Sequence, residues 1–407
     1  MKKIVILSLL TATVLLAGGD ITPVEPIVVT EDTNTLAYAF ANGALSGQIR
    51  AGYINFNPKS FGATNYTTAL GGQLKYETAR YYGFHIGAAF YTSHAISGLS
   101  GSKRRDKFNY ELAGDNHYDT LAEAYIGYKY ESFEINGGRI LIDTPYADSD
   151  DIRMTPNTFE GVMATYGIND EFSLTAAYLT RWQGPDAENY DFVDLLGPNA
   201  NGVAMAALTY ATDNIEASLW YYGADKTADI FYGDIIANYE IREGLELVAG
   251  LQYAKQNERS HSGIEGTLYG AMAEVSFSGL SLSVAYDELH VGEFKEYFGG
   301  FGGGVAFVNV NETTAGVIAV NQGVEAVKLA AVYDFSELGV NGFSAEYNYG
   351  DFEGKIRGHF IEQNMILAYA HDEEWNIEAI YAHIHDELTG PEDEGFARFL
   401  VRANYNF

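Results

Sequence analysis

One-by-one alternation of apolar and polar residues constrains the fold of this chain more than any other feature of its sequence. In residues 45–53 the alternation sets Leu45, Gly47, Ile49, Ala51 and Tyr53 against Ser46, Gln48, Arg50 and Gly52. Successive side chains of a β-strand point to opposite faces of a sheet, so a period of two indicates a strand. We therefore predict a strand with one apolar face and one face that is turned toward water.

Segments of this kind recur to the end of the chain. Each has about 9–13 residues, close to the length that a tilted strand needs to cross a bilayer. Eighteen can be recognised, and an even number is typical of transmembrane β-barrels. We predict strands at 44–55, 67–80, 84–94, 119–130, 132–140, 160–168, 171–181, 202–211, 214–224, 228–240, 244–256, 266–277, 280–290, 324–335, 341–350, 358–370, 374–384 and 396–407.

The connections between these segments alternate between short and long. Turns near 81–83, 131 and 169–170 separate longer stretches at 95–118, 141–159 and 182–201, and the longest connection covers 291–323. Short turns at one end and long loops at the other are typical of transmembrane barrels. A secreted β-solenoid or sandwich is the alternative, although a solenoid would show a fixed short repeat. We expect an all-β, closed antiparallel transmembrane barrel of about 18 strands, because open sheet edges are not tolerated in lipid.

The first residues have the composition of a secretory signal peptide. Lys2 and Lys3 precede an apolar run over residues 4–16, and small residues at 17–19 provide a cleavage site. The run is too short for a transmembrane helix, which needs about 20 residues, and a retained anchor is the alternative. We predict a signal peptide at 1–19 and one barrel domain at 20–407, which places the protein in the periplasm, the outer membrane or the medium.

Charge and composition exclude several classes of function. The chain has 55 acidic and 24 basic residues and a formal net charge of −31, so no basic face for nucleic acid is expected. With no Cys, disulfide scaffolds, thiolate zinc sites and Cys nucleophiles are excluded. The 31 Tyr and 23 Phe residues exclude a disordered chain.

The last predicted strand ends on aromatic residues. Tyr405 and Phe407 lie on its apolar register, where aromatic side chains suit a membrane interface. A terminal Phe that closes an amphipathic strand resembles the signal by which bacterial outer-membrane proteins are recognised for assembly. We therefore expect Tyr405 and Phe407 to be read by the barrel assembly machinery.

Residues 138–164 resemble the third loop of the OprD family of bacterial outer-membrane porins. The family pattern Asp-Asp-x-Arg-x-x-Pro-x-x-Phe-x-Gly is matched by Asp150, Asp151, Arg153, Pro156, Phe159 and Gly161. Residues 39–50 are similar to the family's first strand. The resemblance implies an 18-stranded porin in the outer membrane of a Gram-negative bacterium, either a monomer or a trimer, through which small hydrophilic solutes and ions diffuse passively.

A basic patch is expected on the water-facing side of the barrel. Arg50, Arg398 and Arg402 lie on the polar registers of the first and last strands, which closure brings together. Lys328 lies on the inner register of its strand, and Arg357 leads into another. The OprD resemblance implies that these residues form a basic ladder that guides carboxylate-bearing solutes. The alternative is that the arginines pair with inward acids and hold the wall.

The third loop is expected to fold inward and narrow the lumen, as it does in porins. Its charged residues are Asp143, Asp148, Asp150, Asp151 and Arg153. Acids facing a basic wall across a narrow pore would create a transverse field that orients dipolar solutes and sets ion preference. An acidic surface loop, or one pinned by a contact between Asp151 and Arg153, is the alternative.

The glycine run at 299–304 in the longest loop fits a flexible constriction, and an exposed loop is the other interpretation.

Enzyme signatures are weak: no Gly-x-Ser-x-Gly motif occurs, and the His383 and His385 pair at a strand end fits a solvated rim better than a metal site. We expect no catalytic residue, cofactor or metal.

Alternative functions are a specific channel for small carboxylates or amino acids, a barrel enzyme, or an adhesin with a plugged lumen. Acidic outer loops could also bind divalent cations that bridge to lipopolysaccharide.

Overall fold

The computed structural model describes residues 32–60, 62–319, 322–356, 358–387 and 394–407. The predicted signal peptide at 1–19 and Arg357 lie outside these residues. Two short α-helices are described, Leu36–Ala41 and Ala315–Ile318. None of the helices within the described ranges is long and apolar enough to cross a bilayer.

Eighteen long strands form in the described residues, and each corresponds to one predicted segment. The predicted bounds differ from the observed ones by at most four residues. The strands are β1 (Ala44–Pro58), β2 (Asn65–Glu77), β3 (Phe84–Ala95), β4 (His117–Tyr130), β5 (Phe133–Ile140), β6 (Thr158–Gly167), β7 (Phe172–Gly184), β8 (Val203–Ala211), β9 (Ile215–Ala224), β10 (Ala228–Arg242), β11 (Leu245–Glu258), β12 (Gly266–Phe277), β13 (Leu280–Val291), β14 (Val324–Asp334), β15 (Phe343–Gly354), β16 (His359–Ala370), β17 (Trp375–Asp386) and β18 (Phe396–Asn406).

The strands form one closed antiparallel sheet. Each strand pairs with the next along the chain. β1 and β18 also pair, with Gln48 opposite Asn406 and Pro58 opposite Phe396. Closure satisfies the backbone of the first and last strands, which is the condition for a sheet surrounded by lipid. The predicted fold class is confirmed.

Loops and turns segregate to the two ends of the barrel. At the turn end, the connections include 131–132, 212–214, 243–244 and 278–279. At the loop end lie loop 2 (96–116), loop 3 (141–157), loop 4 (185–202) and loop 7 (292–323). Two connections at the loop end, 225–227 and 355–358, are themselves short. Long loops are thus concentrated on part of the rim.

The two faces of each strand differ as the alternation predicts. On β1 the side chain of Ile49 is 51% exposed on the outside, while its neighbour Arg50 is fully buried inside. Exposed aromatic residues gather near the turn end of the outer face, where they fit a bilayer interface: Tyr130, Tyr166, Tyr239, Trp375 and Phe407. The outer surface is therefore suited to lipid.

The main apolar core lies inside the barrel, where two long loops fold against the wall. Tyr146 and Ala147 of loop 3 pack with Phe301, Val308 and Val310 of loop 7. They contact inward side chains of the wall, which include Leu179, Tyr222, Met272 and Phe352. A second cluster joins Met154 of loop 3 and Leu112 of loop 2 to wall residues such as Ile54 and Leu400. Loops 2, 3 and 7 thereby occupy much of the lumen.

Candidate functional site

Arg50 is fastened to loop 3 by a two-pronged ion pair. Its Nη1 and Nη2 atoms each lie 2.6 Å from an oxygen of the Asp151 carboxylate. Its Nε donates to Asn404 Oδ1 at 2.7 Å, and Nη1 also donates to the carbonyl of Arg153 at 2.9 Å. Arg50 is fully buried. Two parallel bonds to a carboxylate are the strongest arrangement open to a guanidinium, so this contact fixes the loop on β1.

Arg402 binds the same part of loop 3 from the neighbouring strand. It lies opposite Gly52 in the β1–β18 pairing. Its Nη1 donates to the main-chain carbonyls of Asp151 and, at 3.4 Å, of Arg153, while Nη2 lies 2.8 Å from Glu378 Oε1. Arg402 is 1% exposed. Closure therefore brings Arg50 and Arg402 together as expected, but under loop 3, where little of either side chain is open to a solute.

Nearer the loop end, four side chains form an Arg–Glu cluster of Glu111, Arg153, Glu312 and Arg398. Arg153 Nε lies 2.8 Å from Glu111 Oε2, and Arg398 Nη2 lies 3.0 Å from Glu111 Oε1. Arg398 also pairs with Glu312, whose Oε2 lies 3.6 Å from Arg153 Nη2. Loops 2, 3 and 7 and strand β18 each supply one member, so the cluster ties three loops to the wall.

The charges of this cluster stabilise one another. Burial alone would raise the pKa of Glu111, but the neighbouring guanidiniums of Arg153 and Arg398 more than offset burial and hold that pKa below its ordinary value. Glu111 is therefore ionised at neutral pH. Both arginines keep some contact with solvent, with side chains 11% and 12% exposed.

A cavity of about 1,060 Å³ opens toward the loop end above this cluster, and Glu111, Arg153 and Arg398 line part of it. Its wall also carries five further acids: Asp115, Asp119, Asp186, Glu188 and Asp191. The rings of Tyr118 and Tyr190, which also line the cavity, stack at 3.6 Å. We call this space the vestibule. The vestibule lining therefore combines acidic side chains with charges of both signs from the Arg–Glu cluster.

The acids of loop 3 have different positions. Asp151 contacts the basic wall directly, although the loop acids were expected to face that wall across the lumen. Asp143 and Asp148 lie in a small hairpin that pairs Asp143–Thr144 with Ala147–Asp148. The main-chain N–H of Asp148 donates to the carbonyl of Phe301 at 2.9 Å, and Asp150 is 9% exposed. Loop 3 is thus joined both to β1 and to loop 7.

Close approach of loops 3 and 7 depends on glycine. Gly302 has φ +98°, and a Cβ there would lie 2.4 Å from the carbonyl oxygen of Asp148. The glycine run of loop 7 therefore packs against loop 3 within the barrel, as Phe301 does in the core. This position fits the constriction better than an exposed loop.

Lys328 faces inward, as predicted, but it lies away from the vestibule lining. Its Nζ donates to the carbonyl of Asn309 in loop 7 at 2.8 Å, and the residue is 1% exposed. At the opposite end, Tyr405 and Phe407 lie on the outer face with stacked rings. The main chain of Phe407 exchanges two hydrogen bonds with Gly47 of β1, at 2.8 and 3.0 Å.

The sequence pointed to Asp151 and to pairing of the arginines with inward acids as the alternative, but it did not identify Glu111, Glu312 and Glu378 as partners. Glu378 lies on the inner register of β17, and this parity was a usable signal. Glu111 and Glu312 lie in loops, where no periodicity marks them. In the residues that the structure describes, no group of three or more His, Asp or Glu side chains is arranged to hold a metal ion.

Comparison with known proteins agrees with this architecture. The family described as outer membrane porin, OprD family, matches residues 78–384. Pseudomonas aeruginosa OpdQ superposes with a TM-score of 0.75 at 16% identity, covering 91% of this chain and 99% of OpdQ. Acinetobacter baumannii OccAB3 gives 0.76 at 13% identity over 90% and 99% of the two chains. Pseudomonas aeruginosa OpdK, solved with vanillate, gives 0.73 at 16% over 90% and 99%. Among curated proteins, no sequence matches the chain significantly.

Proposed function

The chain belongs to the OprD family of outer-membrane porins, and from that premise we propose that its Arg–Glu cluster selects the solutes that pass. As a porin of the Gram-negative outer membrane it conducts small hydrophilic solutes down their gradients. The observation that carries the proposal is the presence of Arg153 and Arg398 in the lining of the vestibule, partly open to solvent and flanked by carboxylates.

The cluster is suited to solutes with both charges. Guanidinium groups favour carboxylates, and carboxylates favour ammonium groups. Alternating fixed charges also create a local field that orients a dipolar solute on its way through a narrow passage. We therefore expect zwitterions such as amino acids to pass more readily than neutral solutes of the same size.

The basic ladder divides into two groups in this proposal. Arg153 and Arg398 meet the solute, while Arg50 and Arg402 hold loop 3 against the wall, because their burial leaves them little surface to offer. Arg357 stays a predicted member. Among the acids, Asp151 anchors the loop, and Asp143, Asp148 and Asp150 shape it.

A specific channel for small carboxylates is the second candidate. The structure of OpdK, a protein with the same fold, was solved with vanillate, a small aromatic carboxylate. In this chain Arg398 and Arg153 are the groups that would meet such a solute.

The family is one of channels, and we propose that the chain performs no covalent chemistry and needs no cofactor. We further propose that the protein contacts lipopolysaccharide and that the barrel assembly machinery recognises Tyr405 and Phe407. Its proposed oligomeric state is a monomer or a trimer.

Liposome swelling separates these candidates. Purified protein in liposomes is tested with neutral, anionic, cationic and zwitterionic solutes of matched size. Faster entry of zwitterions supports the cluster as selector, while faster entry of anions alone supports the carboxylate channel. Equal rates for all four would overturn both. The variant Arg398→Gln should remove the preference, and Arg242→Gln, an exposed arginine at the turn end, is its control.

A further inference from the structure

We propose that four inward side chains of the wall, Gln256, Asp287, Lys328 and Glu362, position loop 7 and thereby set the width of the pore. They lie on β11, β13, β14 and β16, away from the strands that hold loop 3. The inference rests on the proposed function in one respect only, namely that solutes pass through the lumen into which loop 7 folds.

Each of the four binds the main chain of loop 7. Gln256 Nε2 donates to the carbonyl of Phe298 at 2.7 Å, and Gln256 Oε1 accepts from the N–H of the same residue at 2.9 Å. Asp287 Oδ2 accepts from the N–H of Val308 at 2.8 Å. The side-chain amide of Gln256 therefore pairs with both main-chain polar groups of Phe298, as a neighbouring strand would. Asp287 holds the main chain further along the loop, at Val308.

The other two contacts lie further along the loop. Lys328 Nζ donates to the carbonyl of Asn309 at 2.8 Å, and Glu362 Oε1 accepts from the N–H of Glu312 at 2.9 Å. Glu312 is also a member of the Arg–Glu cluster. A displacement of this part of loop 7 would consequently move Glu312 relative to the arginines of the Arg–Glu cluster.

Burial makes these contacts effective. Gln256, Asp287 and Glu362 are fully buried, and Lys328 is 1% exposed. A buried polar group that loses its hydrogen-bond partner is left in an unfavourable state, so each of these contacts resists displacement of the loop. Because the bonds reach main-chain atoms, they fix the path of the loop rather than the orientation of its side chains.

Asp287 also connects the wall internally, since its Oδ1 accepts from Gln252 Nε2 at 2.8 Å. Asparagine at 287 can still accept a hydrogen bond from Val308, whereas alanine cannot. Two variants therefore test the contact: Asp287→Asn keeps an oxygen that can accept from Val308, whereas Asp287→Ala removes the contact. Glu274 offers a matched control, because it is a buried inward acid on β12 whose hydrogen-bond partner is Ser276 of the same strand.

The absence of Cys from the chain gives a direct measure of loop position. In a Val308→Cys background the single thiol is buried in the folded protein. We measure its reaction rate with a charged thiol reagent and the single-channel conductance in planar bilayers, for Asp287→Ala, Asp287→Asn and Glu274→Ala. Loss of a buried hydrogen bond that leaves the N–H of Val308 without its partner should shift the local opening equilibrium about tenfold or more.

The expected result is faster thiol reaction and a larger, noisier conductance for Asp287→Ala only. Equal rates and conductances in Asp287→Ala and the parent, or equal changes in Glu274→Ala, would overturn the proposal. If Asp287→Ala does not fold, Gln256→Ala in the same Val308→Cys background serves the same purpose, with the same two outcomes. Failure here, with the Arg398→Gln effect intact, would leave the selectivity proposal standing.

Discussion

Arg50 of the first strand and Asp151 of the third loop form a buried ion pair in which both nitrogen–oxygen distances are 2.6 Å. They are separated by 101 residues in sequence. The pair joins the wall beside the closing seam of the barrel to loop 3, which packs inside the barrel. Alternation marks Arg50 as part of a basic wall, and in the folded protein its side chain is fastened to loop 3.

Removing either partner of this pair should destabilise the protein strongly, because the remaining charge is left buried. We expect Arg50→Met or Asp151→Leu each to cost about 3–5 kcal/mol, and the double variant to cost much less than their sum. Urea unfolding of the detergent-solubilised protein measures this. Additive effects of the two substitutions would contradict the assignment of a coupled pair.

Neutralising the arginines that line the vestibule should change ion preference. Arg153→Gln and Arg398→Gln each remove a positive charge that solutes meet and leave the nearby carboxylates less compensated. The reversal potential in a salt gradient should move toward that of a cation-preferring channel. Arg242→Gln should leave it unchanged. A shift of equal size in the control would mean that total charge, rather than position, sets selectivity.

Acid should act on the channel through Glu111. Its pKa is lowered from an ordinary 4.5 in the folded protein, so the stabilisation it provides is complete above that value and is lost as pH falls through the lowered pKa. Protonation frees the two arginines from their shared partner. Asp186 also lines the vestibule, and burial raises its pKa, so the effect of Glu111 is isolated by comparison with Glu111→Gln. Relative to that variant, we expect the reversal potential of the parent protein to move toward anions only below about pH 4.5. A difference between the two proteins that begins well above pH 5 would refute the assignment.

The C-terminal aromatic residue should matter more for assembly than for the folded barrel. Phe407→Ala keeps the two main-chain hydrogen bonds to Gly47, so thermal stability in detergent should change little. Insertion into liposomes that contain the barrel assembly machinery should slow markedly. The matched control is Phe399→Ala, on the same outer register of β18. Equal slowing in both variants would argue against a terminal signal.

The strands were predictable from the sequence because two physical constraints fix them. Alternating side chains mark each strand, and the thickness of a bilayer sets its length. The inward direction of Arg50, Arg398 and Arg402 follows from the same parity. Closure then places β1 beside β18 without further information.

The contacts within the lumen could not be read in this way. Loops 3 and 7 fold inward by tertiary packing, and no local pattern tells which wall residue each will meet. Lys328 shows the limit: parity predicts its inward side chain correctly, but only the path of loop 7 reveals that its ammonium group binds Asn309. Glu312 carries no sequence signal, since its role depends on where the loop brings it.

Single-channel recording of the purified full-length protein in planar bilayers tests the central claim most directly, which is that inward loops fastened to the wall leave a narrow, charge-lined passage. The account predicts discrete, ohmic steps of small conductance that grow when the Arg50–Asp151 pair is removed. Absence of any current, or a wild-type conductance as large as that of an unobstructed 18-stranded barrel, would contradict it.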